Sequence, residues 1–182
     1  MSARERYQPG PAAGAEVHKQ DARWTLVLVR KLRQPPAVVW EALTDPAQLS
    51  QWAPFDADRN LGEVGTVQLA TVATDQVAES RVKRAEAPTL LEYSWGGQDL
   101  RWQLEPAGGG TRLTLWHNID RGFISWGAAG WHICLDVLDR LGSDAAVGRI
   151  VGGDAMAFGW PRLVQEYAQL LGVDPNWPPR HP

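Results

Sequence analysis

The side chains that could carry acid–base chemistry lie in two short stretches of this sequence. His117 ends a strongly alternating strand pattern, and Asp120 follows it three residues later. His132 and Asp136 stand four residues apart, which would place them side by side on one face of a helix. A histidine beside a carboxylate can transfer protons near neutral pH, and a tyrosine hydroxyl can do the same. The candidate catalytic residues are therefore His117, Asp120 and Tyr93.

Metal binding and nucleophilic catalysis have less support in the residue pattern. Zinc sites usually repeat Cys or His at short fixed spacings, whereas this sequence has one cysteine, Cys134, and no His-Glu-x-x-His motif. A single cysteine on a helix is typically a small apolar packing residue. We predict no metal site and no cofactor, and we favour a protein that is not an enzyme.

Tryptophan is the most unusual component of the chain, which has ten Trp but three Tyr and three Phe. Large, rigid aromatic side chains dominate protein cores and binding-pocket walls. Strand alternation and helical spacing bring a set of apolar and aromatic side chains to inner faces, where we predict a ligand-binding wall. The set consists of Trp52, Tyr93, Trp95, Trp102, Leu104, Leu113, Leu115, His117, Trp131, Leu135 and Leu138. The alternative is that these side chains interdigitate as an ordinary close-packed core.

The elements that must position these residues are visible as changes of hydrophobic period. Alternation predicts a strand over 23–33 and further strands over 66–71, 79–85, 90–95, 100–105 and 111–117. The short gaps between the later strands are rich in Gly and Pro, which is typical of antiparallel hairpins. Helical spacing predicts short helices over 38–43 and 46–52, a long helix over 125–141 and another over 161–171.

This order predicts an α+β fold in which a curved antiparallel β-sheet wraps around a long C-terminal helix, with two short helices after the first strand. We predict one domain over 23–172. Within it, residues 142–172 add a loop and a helix that we expect to cover apolar surface rather than to lid a cavity. Residues 1–22 are expected to form a flexible N-terminal tail, and residues 173–182 a Pro-rich tail.

Composition and charge narrow the classes of partner. A formal net charge of -3 without a basic cluster disfavours nucleic acid and anionic membranes as partners. The sequence lacks the run of about 20 apolar residues that a spanning helix needs, and its first residues lack a signal-peptide pattern. Because one cysteine cannot form an internal disulfide, the chain needs no oxidising compartment, and we expect a cytoplasmic location.

Several segments together resemble a known superfamily. They are VRKLRQPPAVVWEALTDP at 29–46, LSQWAPF at 49–55, LLEYSW at 90–95, WQLEPAGGGTRLTL at 102–115 and GWHICLDVL at 130–138. In this order they resemble the START-like (SRPBCC) superfamily and, within it, the heat-shock-protein-90 ATPase activator homology family. The resemblance implies a helix-grip fold with an internal cavity between the sheet and the long helix. Because this scaffold serves many functions, the resemblance alone leaves the activity open.

Three functions are compatible with these observations. The first is binding of an apolar or aromatic small molecule between the sheet and the C-terminal helix. The second is a cyclase- or hydrolase-type enzyme that uses the same cavity, with His117 or Tyr93 beside a carboxylate. The third is an adaptor that contacts a chaperone through an exposed patch including Trp116, a residue that could equally mark a homodimer surface.

Overall fold

The computed structural model describes residues 1–180. The first part of the chain forms α1 (Ala3–Arg6), β1 (Ala15–Gln20), β2 (Arg23–Leu32), α2 (Pro36–Thr44), α3 (Pro46–Leu49) and β3 (Phe55–Ala57). Five strands follow: β4 (Gly65–Thr71), β5 (Gln76–Glu86), β6 (Leu90–Trp95), β7 (Gln98–Ala107) and β8 (Gly110–Asn118). A short 3-10 turn leads into α4 (Ile124–Asp139), and a second 3-10 segment (Gly152–Phe158) precedes α5 (Trp160–Leu171).

The strands described form one sheet in the order β1-β2-β8-β7-β6-β5-β4-β3, and every neighbouring pair is antiparallel. Two glycine pairs make the tight turns on either side of β7. Gly96 and Gly97 have φ of 56° and 77°, and Gly108 and Gly109 have φ of 54° and 84°. Two consecutive positive φ angles are the geometry of a two-residue hairpin, which L side chains rarely adopt. The prediction that the glycine-rich stretch before β8 is a hairpin turn is confirmed.

Helix α4 lies against the inner face of the curled sheet, so the predicted α+β class and helix-grip arrangement are confirmed. A bulge between Val82 and Arg84 interrupts the β5–β6 register, and such bulges increase the local bend and twist of a strand. Helix α4 is buried on most of its circumference, as expected of a helix covered on two sides. The sheet covers one side, and Leu163, Val164 and Tyr167 of α5 are buried against the other.

The N-terminal residues differ from the prediction of a flexible tail over 1–22. Strand β1 pairs with β2 from Ala15 opposite Leu28 to Gln20 opposite Arg23, and Tyr7 is buried. The prediction missed β1 because it is an edge strand with mostly exposed side chains, so it lacks an apolar alternation. Backbone pairing with β2, rather than side-chain burial, keeps this strand in the sheet.

The C-terminal residues also pack on the domain. Trp177 lies against Trp126 of α4 and Trp160 of α5, with ring centroids 5.7 and 5.1 Å apart. The carbonyl oxygen of Pro175 accepts a hydrogen bond from Nε1 of Trp126 at 2.7 Å. The predicted Pro-rich tail over 173–182 thus packs on the domain through Pro175 and Trp177, whereas residues 178–180 are exposed and residues 181–182 lie outside the described residues.

Candidate functional site

A cavity of about 660 Å³ lies at one end of the domain, between the sheet, α4 and the chain around α5. Strands β6 to β8 supply Trp95, Gln98 and His117. The other walls come from α4, from the segment 150–156 and from two indoles that follow it. They include Trp126, Gly127, Gly130, Trp131, Cys134, Ile150, Val151, Gly152, Gly153, Ala155, Met156, Trp160 and Trp177.

The lining is aromatic and uncharged. Among residues 1–180, the cavity wall contains no Asp, Glu, Lys or Arg side chain. Trp126 and Trp160 meet edge to face with ring centroids 5.5 Å apart, and Trp95 and Trp131 do so at 5.9 Å. Moving a lone charge from water into such surroundings is costly, so the cavity is suited to an uncharged ligand.

Two glycines of α4, Gly127 and Gly130, line the cavity. A Cβ atom added to Gly130 would meet Nε1 of Trp160 at 4.0 Å, which is ordinary contact. A Cβ atom added to Gly127 would lie 2.8 Å from Cδ1 of Ile119, so that position is already tight. Glycine inside a helix lowers helix stability relative to alanine by about 0.5–1 kcal/mol. The cavity therefore opens at a place where α4 carries residues that do not favour the helix.

His117 is the central polar group of the cavity. Trp131 donates its indole N–H to Nδ1 of His117 at 3.0 Å, and Nε2 of His117 lies 2.7 Å from Oε1 of Gln98. Because an indole can only donate, Nδ1 must be an acceptor and the ring hydrogen must be on Nε2. Burial lowers the pKa of His117 to about 4, so the ring is neutral at neutral pH.

The structure does not bring the three candidate catalytic residues together. His117 lines the cavity, but its basic nitrogen already accepts a hydrogen bond from Trp131. Asp120 lies in an adjoining polar groove of about 730 Å³, together with Arg23 and Asp99, and the groove shares Gln98 and Ile119 with the cavity. Tyr93 is buried in the core, where its hydroxyl accepts from Nε1 of Trp102 at 3.1 Å and burial raises its pKa. These three side chains therefore do not form one acid–base site.

Three of the predicted ligand-binding residues line the cavity, namely Trp95, His117 and Trp131. The others pack into the core between the sheet and the helices. They are Trp52, Tyr93, Trp102, Leu104, Leu113, Leu115, Leu135 and Leu138. Trp102 makes edge-to-face contacts with Trp52 at 6.0 Å and with Trp131 at 5.3 Å. Interdigitated rings therefore fill the middle of the interior, and space remains at one end.

Sequence reasoning missed most of the remaining wall. Gln98 is the first residue of β7, and Trp160, Trp177 and the segment 150–156 come from the chain beyond α4. None of these positions belongs to an apolar pattern that points inward. One available signal was on α4 itself. Trp126, Gly127, Gly130 and Cys134 recur at helical spacing with Trp131, which indicates one face with small and large residues together.

The pair formed by His132 and Asp136 lies away from the cavity. On the far side of α4, Arg30 donates to the Tyr167 hydroxyl at 2.6 Å, and that hydroxyl lies 2.7 Å from Nδ1 of His132. Asp136 accepts a hydrogen bond from the Tyr7 hydroxyl at 2.6 Å. Burial lowers the pKa of His132 to about 4, although the charge of Asp136 opposes this shift. This network joins the N-terminal segment, β2 and α5 to α4, away from the cavity.

Within residues 1–180, no three His, Cys, Asp or Glu side chains lie close enough together to hold a metal ion. In the same part of the chain, no helix has the length and apolar character needed to cross a membrane.

Comparisons with known proteins support the architecture. Residues 33–142 match the family model described as Activator of Hsp90 ATPase homolog 1-like protein. Among curated proteins, none matches this sequence.

Solved structures give the same picture of the fold. A conserved protein of unknown function from Enterococcus faecalis is 20% identical, with a TM-score of 0.64, and the match covers 86% of this chain and 91% of that one. CalU16 from Micromonospora echinospora is 20% identical, with a TM-score of 0.61 and coverage of 89% and 98%. An AHSA1-like protein from Aeromonas hydrophila is 21% identical, with a TM-score of 0.52 and coverage of 64% and 90%. At such identities the likeness concerns the fold alone.

Proposed function

The chain belongs to the Activator of Hsp90 ATPase homolog 1-like family, and from this premise we propose that it binds an uncharged apolar or aromatic small molecule. The ligand occupies the cavity between the sheet, α4 and the chain around α5. The observation that carries this proposal is the cavity of about 660 Å³, whose described lining is aromatic and free of charged side chains. Its volume lies within the range of about 300–1,000 Å³ that is common for small-molecule sites.

The energetics favour a planar aromatic ligand. Edge-to-face and offset contacts between aromatic rings contribute about 0.5–1.5 kcal/mol beyond their buried area. Trp95 from the sheet and Trp126, Trp131 and Trp160 from the helices line the cavity. A flat ligand between these walls would exchange water for such contacts on both of its faces.

The other two hypotheses have less support. An enzyme needs a base or nucleophile at the ligand, whereas the lone pair of His117 is engaged by Trp131. A chaperone adaptor needs an exposed apolar patch. Trp116 lies on the outer face of the sheet, but the guanidinium of Arg101 covers its ring at 4.9 Å from the centroid. That tryptophan is therefore a weak centre for such a patch.

Titration with N-phenyl-1-naphthylamine, an uncharged aromatic fluorophore, tests the proposal. We expect the wild-type protein to bind one probe per chain in a saturable manner. Gly130→Leu should bind the probe at least fivefold more weakly, because it places a larger side chain in the cavity. Gly130→Ala is the matched control: it adds one methyl group next to Trp160 and should retain most of the affinity. Both variants should keep or raise the melting temperature, because they replace a helical glycine. A wild-type protein that does not bind the probe, or equal binding by Gly130→Leu, would overturn the proposal.

A further inference from the structure

We propose that Gln98 determines the specificity of this cavity by donating a hydrogen bond from its amide nitrogen to a carbonyl-type oxygen on an uncharged aromatic ligand. This inference rests on the proposed function and names the chemical class of the ligand. Gln98 is the first residue of β7, directly after the Gly96-Gly97 turn, and its Cα pairs with that of Trp95. Its backbone is therefore held by the sheet rather than by a loop.

The orientation of the Gln98 amide follows from its neighbours. Trp131 can only donate, so His117 accepts at Nδ1 and carries its hydrogen on Nε2. That N–H faces Oε1 of Gln98 at 2.7 Å. If the amide were turned by half a rotation, its NH₂ group would face this N–H at the same distance, and two donors would be opposed. The two hydrogen bonds that link Trp131, His117 and Gln98 thus leave the amide nitrogen of Gln98 available to donate to another partner.

Some side-chain donors of the cavity wall have no acceptor among the described residues. None of the described residues accepts a hydrogen bond from Nε2 of Gln98, and the same holds for the indole nitrogens of Trp160 and Trp177. The acceptor nitrogen of His117 is already used. A ligand that brings an acceptor would satisfy the Gln98 donor, whereas a ligand that brings donors would oppose it.

The acceptor is expected to be neutral. A carboxylate or phosphate in this place would lose its water without gaining a countercharge, because the described lining has no Lys or Arg side chain. A ketone, quinone, ester or lactone oxygen accepts a hydrogen bond without that cost. The geometry therefore favours an aromatic molecule with such an oxygen at the edge that faces β7.

Fluorene and 9-fluorenone form a matched pair of probes, since they share one planar skeleton and differ by the ketone oxygen. We expect the wild-type protein to bind fluorenone about two- to tenfold more tightly than fluorene, as one net hydrogen bond provides. Gln98→Met should bind both probes with similar affinity. Urea unfolding of the variant checks that its fold is retained.

An infrared spectrum of fluorenone bound to the wild-type protein provides a measurement that needs no variant. A hydrogen bond from Gln98 should move the ketone stretch below its position in hexane, and Gln98→Met should return it. Equal wild-type affinity for the two probes, or a preference that survives in Gln98→Met, would overturn the inference and leave the proposed function standing. If the wild type bound neither fluorene nor N-phenyl-1-naphthylamine, the proposed function itself would fail.

Discussion

Trp131 on α4 donates its indole N–H to Nδ1 of His117 on β8 at a distance of 3.0 Å. This bond joins the long helix to the sheet at the wall of the cavity. It satisfies two buried polar groups at once, and it determines which nitrogen of His117 carries the hydrogen. In the site that we propose, His117 therefore orients Gln98.

The first prediction concerns the protonation of His117 itself. Long-range proton–nitrogen NMR spectra should show a neutral ring with its hydrogen on Nε2, and the signals should not titrate between pH 8 and pH 5. The reason is that burial lowers the pKa to about 4. A titration midpoint near the ordinary value of about 6.5 would contradict this assignment.

The second prediction is a loss of stability as the pH falls below about 6.5. The unfolded chain takes up a proton at the ordinary histidine pKa of about 6.5, whereas the folded pKa of His117 is about 4. Between these values the unfolded state binds more protons, so the free energy of unfolding declines with falling pH. For this one residue the decline should be on the order of 1–2 kcal/mol at pH 5. Urea unfolding at pH 7.5 and pH 5 measures it.

His117→Gln isolates this contribution from those of other groups. His132 also has a pKa lowered to about 4, so the variant should retain part of the pH dependence and lose the share of His117. An identical decline in the wild type and in His117→Gln would show that the buried ring does not contribute.

The third prediction concerns the network on the far side of α4. Tyr167→Phe removes the hydroxyl that accepts from Arg30 and contacts His132, and should lower the free energy of unfolding by about 1–3 kcal/mol. A double-mutant cycle with Arg30→Met should show a coupling energy above about 0.5 kcal/mol between the two residues. Additive effects would mean that the hydrogen bond between Arg30 and Tyr167 does not stabilise the packing of α5 on the domain. Cavity binding should be unchanged in either variant, because neither residue lines the cavity.

The fourth prediction uses the single thiol of the chain as a probe of the cavity. Cys134 lines the cavity, and burial raises its pKa to about 12. Since the thiolate is the reactive form, 5,5′-dithiobis(2-nitrobenzoate) should react slowly with the native protein at pH 8 and rapidly after denaturation. Saturating N-phenyl-1-naphthylamine should slow the native reaction further. Protection by the probe would be missing if it bound elsewhere on the surface.

The fifth prediction concerns the indole that follows α5. Trp177→Ala removes a ring that packs on Trp126 and Trp160 and forms part of the cavity wall. Probe affinity should fall about two- to tenfold, chiefly through faster dissociation measured by stopped-flow fluorescence. Trp116→Ala is the control, because Trp116 lies on the outer face of the sheet. Equal dissociation rates in the two variants would show that Trp177 does not retain the ligand.

The sequence by itself determined the scaffold of this protein. Alternation over 23–33, 90–95 and 111–117, glycines between strands and helical spacing over 125–141 are local signals, and each indicates how one element packs against a core. The sequence did not predict strands β1 and β3. Strand β1 is mostly exposed and β3 is three residues long, so neither shows an alternation of apolar and polar residues.

The tertiary structure decided which side chains fill the interior and which leave space. Trp102 and Trp131 are both inward aromatic residues in the sequence, yet Trp102 is enclosed by rings whereas Trp131 also borders the cavity. The volume of the cavity depends on how side chains from elements far apart in the sequence pack together. No local sequence pattern predicts that packing. The same holds for Gln98: its donor is free because Trp131, 33 positions further along the chain, sets the tautomer of the His117 ring between them.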